Sequence, residues 1–203
     1  MHPQTFIFIG RSGSGKGTQA ELLKKYLDEE VVGTRDVLYI ETGPRFRNFI
    51  KEDTFSSKLS KEAYDNADLQ PSFLAVWMWA SILIEKMKGD EHLIIDGTPR
   101  ALPEAKVLST ALDFYSRNGA HVIYLNVSRS WTEKRLLERG RVEDATFTKR
   151  NKRMDWFDRE VFPTIEYLKN DDRYHLYDVN GEQTVADVHK EIIARIFSDK
   201  FLA

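Results

Sequence analysis

Short runs of β-branched and aromatic residues recur along the chain, and helical patterns separate each run from the next. This alternation is typical of parallel βαβ units with helices on both faces of the sheet. Residues 71–88 show the helical pattern, because Pro71 suits a first helical turn and a broad apolar stripe follows it. We therefore expect a three-layer α/β fold around a five-stranded parallel sheet, with strands at residues 5–9, 37–40, 92–95, 121–125 and 174–179.

Two segments interrupt the alternation. Between Gly43 and Gln70 the pattern predicts two short helices and no strand, which indicates a helical insertion after the second strand. Between Gly140 and Arg150 a brief polar connector joins two helices. Gly, Ser and Pro are sparse in both segments, so neither is typical of a flexible linker. We expect one domain over residues 1–203 that carries both additions.

Composition narrows the classes of function. The net charge is −2 although the chain has 30 Lys and Arg, so any polyanion has to be bound by local clusters. Nucleic-acid-binding proteins are more often basic overall. The absence of cysteine excludes disulfides and cysteine-held zinc and is compatible with a reducing cytoplasm. No segment is typical of a signal peptide or long enough to span a membrane. We expect a cytoplasmic monomer that binds small molecules, neither nucleic acid nor membranes.

A glycine-rich segment follows the first predicted strand. It reads Gly-Arg-Ser-Gly-Ser-Gly-Lys-Gly-Thr-Gln from Gly10, and we call residues 10–17 the phosphate loop. Glycines let successive N–H groups point at one anion, and Lys16 and the start of the next helix add positive charge. Thr18 can place a hydroxyl near a phosphate or its Mg²⁺. The Gly-x4-Gly-Lys spacing fits the phosphate-loop motif, except that Gly17 stands where Ser or Thr usually follows the lysine. The alternative, an ordinary glycine-rich turn, is disfavoured by the flanking strand and helix.

Three further motifs carry charges suited to nucleotide phosphates. They are Glu41-Thr42-Gly43-Pro44-Arg45-Phe46-Arg47, then Asp96-Gly97-Thr98-Pro99-Arg100, and the series Lys134-Arg135-Leu136-Leu137-Glu138-Arg139-Gly140-Arg141 followed by Arg150 and Arg153. Together with Gly-Ser-Gly-Lys-Gly-Thr-Gln, these motifs resemble the adenylate kinase family of nucleoside monophosphate kinases. The resemblance covers residues 6–181, with the motifs in the order of the family.

The resemblance implies a P-loop fold with a helical monophosphate-binding segment at residues 42–71 and a short lid at about 139–153. It implies reversible, Mg²⁺-dependent transfer of the γ-phosphate of ATP to a nucleoside monophosphate, with AMP as the expected acceptor. Kinases acting on UMP, CMP or GMP are alternatives, and so are a small-metabolite kinase and a non-catalytic ATP-binding protein. Larger-lid relatives can hold zinc through cysteines, which this chain lacks.

The resemblance also assigns residues to roles. ATP-binding residues would be Gly13, Ser14, Gly15, Lys16, Gly17, Thr18, Arg135 and Gly181. Residues that bind the monophosphate would be Thr42, Arg47, Leu69, Gly97, Arg100, Glu104, Arg141 and Arg153. The catalytic residues would be Lys16, Arg100, Arg135, Arg141 and Arg153. Thr18 and Asp96 would hold Mg²⁺ through water molecules. Which of Arg139, Arg141, Arg150 and Arg153 contact phosphates stays open, although counting back from Pro163 favours Arg153.

Most departures from the family pattern fall on the acceptor side: Pro44, Ala67, Asp68, Gln70, Thr98 and Glu104. Glu104 matters most, because it falls on the glutamine with which the family reads the adenine edge. An ionised glutamate only accepts hydrogen bonds, so it would face the N1 lone pair without a donor. Guanine, and partly cytosine, would suit a carboxylate better. The alternative is that Glu104 points to solvent and the register is shifted by one turn.

Overall fold

Five parallel strands form the centre of the molecule. The computed structural model describes residues 2–29, 31, 35–141 and 144–197. The strands run in the order β2-β3-β1-β4-β5, and every neighbouring pair is parallel. Each predicted strand is confirmed, with ends that differ by one residue at most: β1 (Thr5–Gly10), β2 (Val37–Glu41), β3 (His92–Asp96), β4 (Ala120–Asn126) and β5 (Tyr174–Asn180).

Helices connect the strands and cover the sheet. A π-helical turn, Phe157–Val161, lies between the seventh and eighth of them. The helices are α1 (Lys16–Glu29), α2 (Thr42–Phe49), α3 (Phe55–Asp65), α4 (Ser72–Lys86), α5 (Leu102–Phe114), α6 (Arg129–Arg139), α7 (Phe147–Trp156), α8 (Phe162–Lys169) and α9 (Val185–Phe197).

The core lies in two layers, one on each face of the sheet. Successive side chains of β1 alternate between the faces, as they do in any strand. Ile7 and Ile9 pack with residues of α4, α5 and α8, whereas Phe6 and Phe8 pack with residues of α1 and α9. Both faces of the central strand are therefore buried, which confirms the three-layer α/β fold expected from the sequence.

The insertion after β2 contains α2 and α3 and packs on the start of α4. Phe46 and Phe49 of α2 form a small apolar cluster with Leu74 and Met78 of α4. Thr54 caps α3, because its hydroxyl accepts the N–H of Ser57 at 3.0 Å. The cluster packs α2 against α4, and β2 leads directly into α2 at its carboxyl end.

The connector between α6 and α7 is short. Helix α6 ends at Arg139, and Gly140 follows in the left-handed conformation with φ of 61°. Helix α7 begins at Phe147 and is capped by the Thr146 hydroxyl. Residues 142 and 143 of the predicted lid lie outside the described residues. None of the described helices is both long enough and apolar enough to cross a membrane.

Candidate active site

The phosphate loop leaves the carboxyl end of β1 and turns directly into α1. A Cβ at Gly10 would lie 2.6 Å from the carbonyl oxygen of Leu125, so only glycine allows this approach to β4. A Cβ at Gly13 would lie 3.2 Å from Cβ of Arg135. The two glycines thus let β4 and α6 pack against the loop, and α6 brings Arg135 to it.

Lys16 lies inside the phosphate loop rather than in solvent. Its Nζ donates to the carbonyl oxygens of Gly10 at 2.9 Å and Arg11 at 2.8 Å. Burial lowers the pKa of Lys16 to about 8, although attraction to Asp96 opposes that shift. Repulsion from three nearby guanidiniums lowers this pKa further. The loop therefore concentrates positive charge, as expected of a polyanion site.

Asp96 ends β3 beside the phosphate loop. Its side chain is buried, and Oδ2 accepts a long hydrogen bond from the Tyr39 hydroxyl at 3.5 Å. Burial raises the pKa of Asp96, while the positive charges of Lys16 and Arg100 oppose the rise. A Cβ at Gly17 would lie 3.3 Å from Asp96 Oδ2. The glycine that departs from the phosphate-loop motif therefore makes room for this carboxyl group.

The acceptor side of the cleft is built around Gly97, just after β3. Its carbonyl oxygen accepts from Arg100 Nε at 2.6 Å and from the Thr42 hydroxyl at 3.4 Å. These bonds join the start of α2 to the segment after β3 and fix the direction of the Arg100 guanidinium. Arg47, at the end of α2, lies against Gly43, since a Cβ there would be 3.2 Å from Arg47 Nη1.

Glu104 lies in the first turn of α5 and does not point to bulk solvent. Only 3% of its surface is exposed to solvent, and it lines the cleft. Oε2 accepts the backbone N–H of Arg100 at 3.1 Å. Burial raises the pKa of Glu104, although the Arg100 backbone N–H and guanidinium oppose the rise.

Three arginines from the connector and its flanking helices line the opposite wall. Arg139 and Arg153 both reach the carboxylate of Asp144, whose side chain is 1% exposed. Arg153 Nη1 also donates to the Ser12 hydroxyl of the phosphate loop at 3.4 Å. Arg141 lines the cleft as well. Arg150 does not, because it is buried with its Nη1 on the carbonyl oxygen of Asp144 at 3.0 Å.

These walls enclose one cleft of about 690 Å³ at the carboxyl edge of the sheet. Ligands of open α/β sheets bind at this edge. Every residue to which the resemblance assigned a role lines it: Gly13, Ser14, Gly15, Lys16, Gly17, Thr18, Thr42, Arg47, Leu69, Asp96, Gly97, Arg100, Glu104, Arg135, Arg141, Arg153 and Gly181. A polar cleft with this many converging cations can hold two polyanionic ligands.

Comparison with known proteins decides the family. The family model described as Adenylate kinase matches residues 8–173. The chain belongs to the adenylate kinase family.

Bacterial adenylate kinases resemble the chain over nearly its whole length. That of Flavobacterium psychrophilum is 32% identical over 191 residues, covering 92% of this chain and 94% of the relative. Adenylate kinase 1 of Nostoc sp. is 30% identical over 192 residues, covering 95% and 98% respectively. That of Prochlorococcus marinus is 31% identical and covers 81% of this chain and 84% of the relative.

Family membership confirms the predicted enzyme class, a nucleoside monophosphate kinase of the P-loop fold. It favours ATP and AMP as the substrate pair over the UMP, CMP or GMP alternatives. Adenylate kinases use ATP and Mg²⁺ in general. Among the described residues of this chain, no group of three or more His, Asp or Glu side chains forms a metal site.

The structure adds residues that the sequence analysis did not assign to the site. Trp131 lines the cleft one helical turn before Arg135, whose guanidinium carbon lies 5.2 Å from the centre of the Trp131 ring. Trp131 and Arg135 are four residues apart on α6, and this spacing in the sequence could have indicated that the two side chains meet on one face of the helix. The second such residue is Asp144, and no local pattern in the sequence distinguishes it from Glu143, the other acidic residue of the connector.

Proposed function

We propose that the chain catalyses the reversible reaction of ATP and AMP to two ADP in the cleft described above. The observation that carries the proposal is the arrangement of cations. Lys16, Arg100 and Arg153 come from the phosphate loop, the segment after β3 and α7, and all three line the same cleft. Two nucleotides repel each other through their phosphates, and cations between them remove that repulsion.

The donor nucleotide would occupy the side of the phosphate loop. Backbone N–H groups of residues 13–18 and Lys16 would bind its outer phosphates, since the loop leads into the N-terminus of α1. Arg135 and Gly181 line the same end of the cleft, and Trp131 lies under Arg135. The planar guanidinium group of an arginine can stack on the planar base of a nucleotide. This end of the cleft is therefore the site that we assign to the adenine of ATP.

The acceptor nucleotide would occupy the side of α2 and the segment after β3. Arg47 and Arg100 would bind its phosphate through paired donors, and Thr42, Leu69, Gly97 and Glu104 would surround its nucleoside. Residues 42–71 would thus form the monophosphate-binding segment. Arg141 and Arg153 would approach the transferred group from residues 139–153, the proposed lid, whose closure would exclude water.

The residues beside the loop fit a magnesium ion. Thr18 and Asp96 supply oxygen atoms, which are the ligands that Mg²⁺ prefers, and Gly17 leaves the Asp96 carboxyl accessible to the loop. Bound there, Mg²⁺ would neutralise charge on the phosphates of ATP. The cationic side chains, Lys16 and the arginines, would orient the phosphates of both nucleotides. No general base is needed, because the acceptor phosphate is already an anion. Monomeric state and cytoplasmic location remain predictions.

The test measures diphosphate formation from ATP with AMP, GMP, CMP, UMP and dTMP in turn. We expect AMP to be the best acceptor. Lys16→Met should keep the folded circular dichroism spectrum and lower kcat by about a hundredfold or more. Lys190→Met replaces an exposed lysine of α9 outside the cleft and should match the wild type. A better acceptor than AMP, or full activity of Lys16→Met, would contradict the proposal.

A further inference from the structure

Arg11 is the second residue of the phosphate loop, but it does not line the cleft. All three nitrogens of its guanidinium donate to acceptors in other segments of the chain. Nε reaches the carbonyl oxygen of Val127 at 3.2 Å, Nη1 that of Met154 at 3.4 Å, and Nη2 the Asp158 carboxylate at 2.5 Å. The guanidinium carbon also lies 4.4 Å from the centre of the Phe157 ring. This cation therefore joins segments of the protein instead of binding phosphate.

Three of these four contacts lie at the end of α7 and in the π-helical turn that follows it. Met154 is the residue after Arg153, which lines the cleft. The Arg11 side chain is 15% exposed, and a partly buried ion pair is screened less than one at the surface. A hydrogen bond between two charged groups is also about twice as strong as a neutral one. Arg11 therefore fastens the phosphate loop to α7 directly beside Arg153.

The next residue of the loop makes a second contact with α7. The Ser12 hydroxyl accepts from Arg153 Nη1 at 3.4 Å, which is long for a hydrogen bond. A bond of this length restrains the Arg153 side chain only weakly. The several short contacts of Arg11 must therefore supply most of the restraint between the loop and α7.

The main chain of Arg11 faces the interior of the phosphate loop. Its carbonyl oxygen accepts Lys16 Nζ at 2.8 Å and the backbone N–H of Ser14 at 3.2 Å. One residue thus contacts Lys16 through its backbone and the helix of Arg153 through its side chain. Phosphoryl transfer depends on the positions of the surrounding cations, and a displacement of about 1 Å can cost about a hundredfold in rate.

We propose that Arg11 is a positioning residue that holds α7 against the phosphate loop, so that Arg153 keeps its place relative to Lys16 during phosphoryl transfer. The inference rests on the proposed function, because it concerns the same reaction in the same cleft. Arg11 touches neither nucleotide and acts through Arg153.

The first experiment measures steady-state kinetics of Arg11→Ala well below its melting temperature, with folding checked by circular dichroism. We expect kcat to fall at least tenfold and KM for ATP to stay within about threefold. Arg129→Ala is the matched control, because Arg129 binds the same Asp158 carboxylate from outside the cleft and its side chain is 47% exposed. It should leave kcat within about twofold. A raised KM for ATP with unchanged kcat would overturn the inference, because Arg11 would then shape the loop for ATP and not place Arg153.

The second experiment is a double-mutant cycle of Arg11→Ala with Arg153→Gln. If Arg11 acts through Arg153, its loss should matter little once that guanidinium is gone. The double variant should then lose about a hundredfold in kcat, as we expect for Arg153→Gln alone. Independent effects would multiply to about a thousandfold, and that result would overturn the inference.

Two further variants keep the test decisive if Arg11→Ala does not fold. Arg11→Lys keeps the charge but cannot reach all three acceptors at once, so its kcat should be lower than that of the wild type. Asp158→Asn keeps the shape and removes the charge of the partner, and it should lower kcat about threefold or more at unchanged KM for ATP. Wild-type kcat in Asp158→Asn or in folded Arg11→Ala would show a purely structural role and overturn the inference. Failure of the proposed function is a separate result, because the wild type would then form no ADP from ATP and AMP.

Discussion

As the pH falls from about 7.5 to about 5, His121 should lower the free energy of unfolding. Replacing His121 by phenylalanine should remove most of that loss. His121 lies in β4 and is 7% exposed. Its Nε2 lies 3.0 Å from the Gln4 side-chain oxygen and its Nδ1 lies 3.1 Å from the Tyr177 hydroxyl. Because the Gln4 oxygen only accepts, Nε2 carries the hydrogen and Nδ1 accepts from Tyr177. This arrangement suits the neutral ring.

The magnitude follows from the pKa difference between the folded and unfolded chains. Burial, with a smaller contribution from His175, lowers the pKa of His121 from 6.5 to about 4. As the pH falls, His121 therefore binds a proton in the unfolded chain before it does so in the folded chain. Protonation of His121 has no effect on the free energy of unfolding well above the unfolded pKa, and it destabilises the fold as the pH falls from 6.5 to about 4. The free energy of unfolding should drop by about 2 kcal/mol at pH 5 and by about 3 kcal/mol at full protonation.

Urea denaturation of both proteins across this pH range measures the effect. The difference in free energy of unfolding between wild type and His121→Phe should shift by about 2 kcal/mol in favour of the variant at acidic pH. His92, whose pKa burial also lowers, contributes equally to both curves and cancels. His2→Gln, at an exposed position, is the control. Parallel curves for wild type and His121→Phe would refute the reasoning.

Two further predictions concern the arginines of α7 and the carboxylate of Asp144 that binds them. Arg153→Gln should lower kcat by about a hundredfold, because Arg153 lines the cleft beside the phosphate loop, whereas Arg150→Gln should mainly lower the melting temperature. Equal losses of kcat in steady-state assays would contradict this difference. Asp144→Asn keeps the size of the side chain and removes the charge that holds Arg139 and Arg153. It should lower the free energy of unfolding by about 3 kcal/mol in urea titrations and should also lower kcat. Wild-type values of both quantities would show that Asp144 does not position these arginines.

The strands and the phosphate loop could be predicted because their signals are local. A buried parallel strand is apolar along its whole length, and a helix repeats every 3.6 residues, so short windows of sequence carry both patterns. The phosphate loop is local too, since its glycines, Lys16 and Thr18 are consecutive or nearly so. The predicted strands at residues 5–9 and 92–95 accordingly match β1 and β3 to within one residue.

The arginines show where local patterns stop being informative. Arg150 and Arg153 are three residues apart on α7, and that spacing places them on neighbouring positions of one helix face. The structure separates them, because Arg150 binds the carbonyl oxygen of Asp144 whereas Arg153 reaches Ser12 in the cleft. Spacing along a helix sets a direction only relative to the helix axis. The packing of α7 against the phosphate loop decides what each side chain meets.

By itself, the sequence determined the α/β fold and the phosphate loop, and its motifs carried the resemblance to the family and the roles assigned to the residues named for the site. Only the tertiary structure decided that Glu104 is buried in the wall of the cleft, that Asp144 forms ion pairs with two arginines, and that Gly17 makes room for Asp96. The physical reason is that backbone patterns arise from neighbours along the chain. The charge state of a side chain depends on desolvation and on partners that distant segments bring to it.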